Sequence, residues 1–245
     1  MPEVLAETAD VVVLNKPAGL IVHRDGRTLE PSVADWVLTK YPALAAVGEP
    51  WVSPQGEIIP LPGIVHRLDR STSGVMIMAK TPEMYRYLKQ QFKERKIEKT
   101  YVAWVYGHPS ISSGQVVAEI VRTSGSPKRW AARLTDEKDK RAAITKWKVL
   151  KEIKDEATGE LVSLLELKPL TGRTHQIRVH LASIGHPIVA DHVYAPDRAL
   201  ILGFNRPALH ASSMSFDVAG EQQTFAAPLP EDFHYASVLQ NTSIG

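Results

Sequence analysis

The 245-residue chain contains no cysteine, which excludes a disulfide framework and any thiolate metal site. Long apolar runs are also missing, so no membrane-spanning helix is expected. The opening Met1-Pro2-Glu3 carries an acid where a secretory leader carries bases, and no signal-peptide pattern follows. There is no internal repeat, no low-complexity segment and no linker that cleanly separates two domains. A nucleotide fingerprint and a His-Glu-x-x-His pattern are absent as well. His175, His180, His186 and His192 remain as metal candidates. His175 and His180 are five apart, which puts them on different faces of a helix with about 3.6 residues per turn. No metal and no cofactor are therefore expected. With 44% hydrophobic and 23% charged residues, the chain reads as one cytoplasmic globular domain, residues 1–245, with a core at about 9–228 and no obligate protein partner.

Positive charge is scarce at both ends. Residues 1–60 hold four basic against eight acidic residues, and residues 191–245 hold two against six. Residues 61–190 hold 23 basic against 13 acidic residues. A basic centre suits a polyanionic partner, although solvated lysine faces would give the same linear count.

Short strands alternate with isolated helices, which argues for α+β rather than a βαβ succession. Ala9 to Leu14 reads as a strand ended by Lys16-Pro17. Val33, Trp36, Val37 and Tyr41 have helical spacing, and Pro42 stops them. Thr81 reads as an N-cap with Pro82 at the first helical position, and Met84, Leu88 and Phe92 line a helix to about Arg95. Residues 97–106 predict a strand through Tyr101. Gly125 to Arg141 reads as a polar loop or hairpin. Ile144 to Leu150 and Leu161 to Leu167 read as paired strands around Glu156-Ala157-Thr158-Gly159. Thr174 reads as the cap of a helix through Leu181 to Gly185. Short strands continue to about Phe225.

The segment Gly63 to Gly74 stands out. It places one acid, Asp69, among His66, Arg67, Arg70 and the hydroxyls Ser71, Thr72 and Ser73. Leu61, Ile64 and Val65 precede it and Val75 to Met78 follow, which reads as a buried strand, a polar turn and a second buried strand. A carboxylate held between core strands, with arginines beside it, suits a nucleophile or a general base. On residue types alone, a turn aspartate bonding its own backbone is the commoner outcome.

His66-Arg67-Leu68-Asp69, two free positions and Thr72-Ser73-Gly74 resemble the signature of the RluA-type pseudouridine synthases. Asn15-Lys16-Pro17-Ala18-Gly19, Lys99 to Gly107, Leu170 to Leu181, Gly185 to Asp191 and Ala208 to Ala211 with Phe216 resemble further blocks of that family, in order. The likeness runs from about Val11 to Pro228. One departure is Ala190, where relatives usually carry glycine. The resemblance implies an α+β fold with a mixed, largely antiparallel sheet, flanking helices and a central catalytic cleft. It implies a short member without the N-terminal S4 domain that many relatives carry.

The implied reaction converts uridine in ribosomal or transfer RNA to pseudouridine, an isomerisation that needs no redox partner. By resemblance, Asp69 is the catalytic carboxylate, attacking the sugar or acting as a base at C2′. Arg173 is its counter-charge, with Arg178 the second choice, and Tyr101 lies beside the base. Arg67 enters the space left by the flipped nucleotide or holds that nucleotide. His66 and Thr72 complete the substrate-binding set, His66 by supporting the loop and Thr72 by ordering the turn. Two competitors are weaker. A non-catalytic RNA-binding protein of this fold would be expected to lose Asp69, Tyr101 or Arg173, and a glycosidase usually needs two carboxylates.

Overall fold

The computed structural model describes residues 1–24, 30–124, 129–136, 139, 141–218 and 220–233. The described strands are β1 (Glu3–Glu7), β2 (Val11–Lys16), β3 (Trp51–Val52), β4 (Ile58–Ile59), β5 (Ser73–Ala79), β6 (Glu98–Tyr106), β7 (Ser113–Arg122), β8 (Trp130–Leu134), β9 (Ala142–Lys154), β10 (Leu161–Pro169), β11 (Leu209–Val218) and β12 (Glu221–Ala226). The α-helices are α1 (Val33–Lys40), α2 (Pro82–Lys93) and α3 (Gln176–Ser183). Few helices and a strand-rich, antiparallel framework make this an α+β fold. The chain divides into two compact units: Met1–Glu98 with Ala211–Pro228, and Lys99–His210 with Leu229–Gly245. No described helix is long and apolar enough to cross a membrane.

In the first unit the strands run in the order β1-β2-β5-β11, with β12 paired to β11. β2 and β5 are antiparallel, Val11 opposite Ala79 and Lys16 opposite Gly74. Their runs Val-Val-Val-Leu and Val-Met-Ile-Met are buried on both faces, so no polar alternation appears in the sequence. α2 buries Met84, Tyr85 and Leu88; its Thr81 cap accepts the Met84 N–H at 3.1 Å and Pro82 fills the first turn. α1 starts at a reciprocal Ser32–Asp35 capping box. Two glycines bound the Asp69 segment. A Cβ on Gly63 (φ +65°) or on Gly74 (φ +117°) would lie 2.1 Å from the carbonyl oxygen of Ala79 or Ala211. Only glycine allows the chain this close at both ends.

The second unit carries the sheet order β6-β10-β9-β7-β8, antiparallel throughout. Trp104, Tyr106, Leu165, Leu167, Ile177, Leu181 and Phe204 belong to its core. The β9–β10 turn is tied by Asp155, whose carboxylate accepts the Thr158 N–H and hydroxyl at 3.0 and 2.7 Å.

Several expectations need correcting. β1 precedes the first expected strand. Gly63 to Leu68 is not a strand but an irregular segment with one bridge, Ile64 to Met78. Part of 125–141 lies outside the described residues; Trp130–Leu134 pairs antiparallel with β7, in agreement with the hairpin reading of that stretch. α3 starts one residue later than predicted: His175, not Thr174, is its N-cap, in a left-handed conformation (φ 54°) without a side-chain cap bond. The Gln176 side chain instead ties the preceding loop, accepting the Arg173 N–H at 3.0 Å.

Candidate active site

Asp69 stands half-buried at the end of the irregular segment. Its carbonyl accepts the Thr72 N–H at 3.1 Å, closing a turn through Arg70 and Ser71. Two anchors hold this turn from β2 and its loop. Gly19 N–H donates to the Arg70 carbonyl at 2.8 Å. Lys16 is completely buried, and its ammonium donates to the carbonyls of Pro17 and Leu20 at 2.8 Å and of Arg70 at 3.2 Å. An ammonium has three N–H donors, and meeting them with carbonyls is what makes its burial tolerable.

The segment before Asp69 is fixed by His66. Its Nε2 accepts the Ile77 N–H at 3.0 Å, and its ring stacks on Phe92 with centroids 5.0 Å apart. Two residues further along the same strand edge, Ala79 N–H donates to the Gly63 carbonyl at 2.9 Å. An imidazole thus replaces a strand partner, which explains why an apolar run that reads as a strand is not one. Accepting at Nε2 leaves the ring proton on Nδ1.

The two flanking arginines each have a partner from the segments before β3. Arg70 is ion-paired with Glu30, and exposed Arg67 has Nη1 3.5 Å from His23 Nε2. Thr72 and Ser73 are buried, at 2% and 3% exposure.

In the second unit Tyr101 is half-buried on β6 opposite Leu167 and packs on the core. Arg173 is exposed on the loop between β10 and α3. That loop is locked by Gln176, which is 5% exposed. Gln176 Oε1 accepts the Arg173 N–H at 3.0 Å and the Thr171 hydroxyl at 2.7 Å. Its Nε2 donates to the Ile144 carbonyl and to Thr145 Oγ1, both at 3.0 Å. Thr145 Oγ1 lies 2.9 Å from Nδ1 of fully buried His180. The hydroxyl has a second lone pair and one proton, so it can meet Nδ1 as donor or as acceptor. Burial pushes the His180 imidazole down to about 4.

Arg178 is 5% exposed and bidentate to fully buried Asp191, Nε and Nη2 lying 2.7 and 2.8 Å from the two carboxylate oxygens. Asp191 also accepts the Val193 and Tyr194 N–H groups. The Tyr194 ring lies 5.1 Å under the Arg178 guanidinium, and its hydroxyl is 2.9 Å from His175 Nδ1. Ala190, beside this pair, has φ 58°, which accounts for a glycine preference, while its methyl is buried in the core.

The structure thus gathers His66, Arg67, Asp69 and Thr72 on one anchored loop of the first unit. Tyr101, Arg173 and Arg178 lie on neighbouring elements of the second. Lys16, Gln176, His180 and Asp191 were missed as supports. All four sit inside the recognised blocks, so their positions were the available signal. Among the described residues no three His, Asp or Glu side chains converge on a metal geometry.

Comparison with known proteins completes the picture. The family model "RNA pseudouridylate synthase" matches residues 10–183. A ribosomal large subunit pseudouridine synthase D of Zymomonas mobilis is 37% identical over 239 residues, covering 94% of this chain and 70% of that protein. An RNA pseudouridine synthase of Synechocystis is 36% identical over 233 residues, covering 94% of this chain and 66% of that protein. The chain therefore spans about two thirds of the length of these relatives. Among solved structures, human RNA pseudouridylate synthase domain containing 1 superposes with a TM-score of 0.68 at 26% identity, covering 94% of this chain and 84% of that one. The chain belongs to the RNA pseudouridylate synthase family, as an RluA-type member.

Proposed function

We propose that this chain isomerises uridine to pseudouridine within RNA, as a cytoplasmic monomer whose two units make one catalytic domain. The supporting observation is the complete motif from His66 to Gly74, with its single acid on a turn anchored by Lys16 and His66. In this reading Asp69 is the carboxylate that meets the sugar, as a nucleophile on C1′ or as a base at C2′. Tyr101 offers a ring to stack on the base and a phenol to pass a proton. Arg173 supplies the counter-charge. Arg178 is the alternative, because Asp191 takes Nε and Nη2 and so fixes how the rest of the guanidinium is presented. Exposed Arg67 fits a side chain that holds the flipped nucleotide.

One matched relative is named for the large ribosomal subunit, which makes large-subunit ribosomal RNA the first substrate to test, ahead of transfer RNA. The test is tritium release from C5-labelled uridine in each RNA, without added metal or cofactor. Release from ribosomal RNA alone is the expected result. Release from neither would overturn the reading.

A further inference from the structure

The outer face of α2 carries a groove that the chemistry at Asp69 leaves unused. Val65, Tyr85 and Phe92 lie along it, and Arg86, Lys89 and Lys93 stand at its rim; its volume is about 570 Å³. Residues 86, 89 and 93 follow the i, i+3, i+7 spacing of one helix face, and all three are exposed. Glu49 is the one acid lining the groove. Glu83 offsets Arg86 only through a solvent-exposed pair at 3.1 Å. Lys89 lies 5.8 Å over the Tyr85 ring, so cation and aromatic surface are already interleaved.

The groove is also continuous with the motif loop. Phe92, half-buried on its floor, is the ring on which His66 stacks, and Val65 is the residue before His66. Val65 is four residues before Asp69 in the chain. We infer that this groove binds a single-stranded RNA segment flanking the target uridine, with phosphates on Arg86, Lys89 and Lys93 and a base against Phe92. Basic rims with aromatic floors suit this partner because every base has a stacking face and every linkage a charge. The inference rests on the RNA-modifying reading above.

The experiment uses the full chain and a uridine-containing stem-loop taken from large-subunit ribosomal RNA. R86Q/K89Q/K93Q is compared with a charge-matched control, K146Q/K148Q/K168Q, on the exposed face of β9 and β10. Three lost phosphate contacts at about 0.7 each should lower the slope of log affinity against log salt by about 2. The control should leave unchanged both the slope and, within about twofold, the single-turnover rate at saturating RNA. A 4-thiouridine a few nucleotides from the target should crosslink to the peptide containing Phe92. An unchanged slope, an equal loss in the control, or crosslinks confined to other peptides would overturn the inference. Wild-type protein that releases no tritium from any RNA would instead sink the synthase reading, while the slopes for the same stem-loop would still decide the groove.

Discussion

The Asp69 turn and the Arg173 loop solve one problem in two ways. Each must hold a polar side chain outside regular structure. The Asp69 turn is pinned by charge: a buried ammonium from β2 gathers three carbonyls, and an imidazole stands in for a strand. The Arg173 loop is pinned by a neutral network, in which one amide satisfies an N–H, two hydroxyls and a carbonyl. A cation holding backbone carbonyls cannot be replaced by a neutral group of its shape, whereas an amide network loses bonds one at a time. The difference predicts unequal fragility.

The largest stability effect should come from Lys16→Met. It removes this donor from the Pro17 and Leu20 carbonyls and leaves the Arg70 carbonyl with the Gly19 N–H alone, at about 1–3 kcal/mol for each that stays buried and unmet. Urea unfolding should show a loss of about 4 kcal/mol, with turnover falling further than the folded fraction does. A loss under about 1 kcal/mol would mean the turn does not depend on Lys16. Gln176→Leu should follow, at about 3 kcal/mol. If Gln176 acts by positioning Arg173, its effect on single-turnover rate should vanish in an Arg173→Ala background, while its effect on stability should remain. Additive rate losses would break that link.

The pH response separates the loops as well. His180 is held neutral in the fold, burial lowering it from the ordinary histidine value of 6.5 to about 4. The unfolded chain takes up that proton first, so stability is complete above about pH 6.5 and is lost as pH falls towards 4. The loss should reach about 3 kcal/mol, at about 1.4 kcal/mol per pH unit. His180→Gln should flatten the slope over this window. A slope that survives the substitution would assign it elsewhere. The smallest stability effect belongs to exposed Arg67. Arg67→Ala should leave the melting temperature unchanged and slow modification of an intact stem more than of an opened one, since unstacking costs a few kcal/mol. Equal slowing on both would reject its part in extrusion.

Much of this was legible in the sequence, and the exceptions share a cause. β5, the Thr81-capped α2 and the β9–β10 hairpin follow from apolar pattern, cap and turn residues. The acid on a turn was visible in the motif itself. What stayed hidden were side chains replacing backbone partners. His66 sits in an apolar run whose pattern reads as a strand, because only the fold shows that its ring takes the Ile77 N–H. Lys16 reads as the polar end of β2, since nothing local tells a buried ammonium from a solvated one. Gln176 reads as an ordinary polar helix residue, since only the fold shows its amide buried against β9 and the Arg173 loop. Arg70 was read as company for Asp69, and its pairing with Glu30 depends on a segment forty residues earlier.

The central claim is that Asp69 is the one carboxylate on which turnover depends. Asp69→Asn keeps size and removes the charge and nucleophilicity. Single-turnover tritium release on the ribosomal stem-loop, measured alongside melting temperature and RNA affinity, tests it directly. The account predicts a rate at least about a thousandfold lower, with melting temperature and affinity close to wild type. A correctly folded Asp69→Asn protein that releases tritium at near wild-type rate would contradict it.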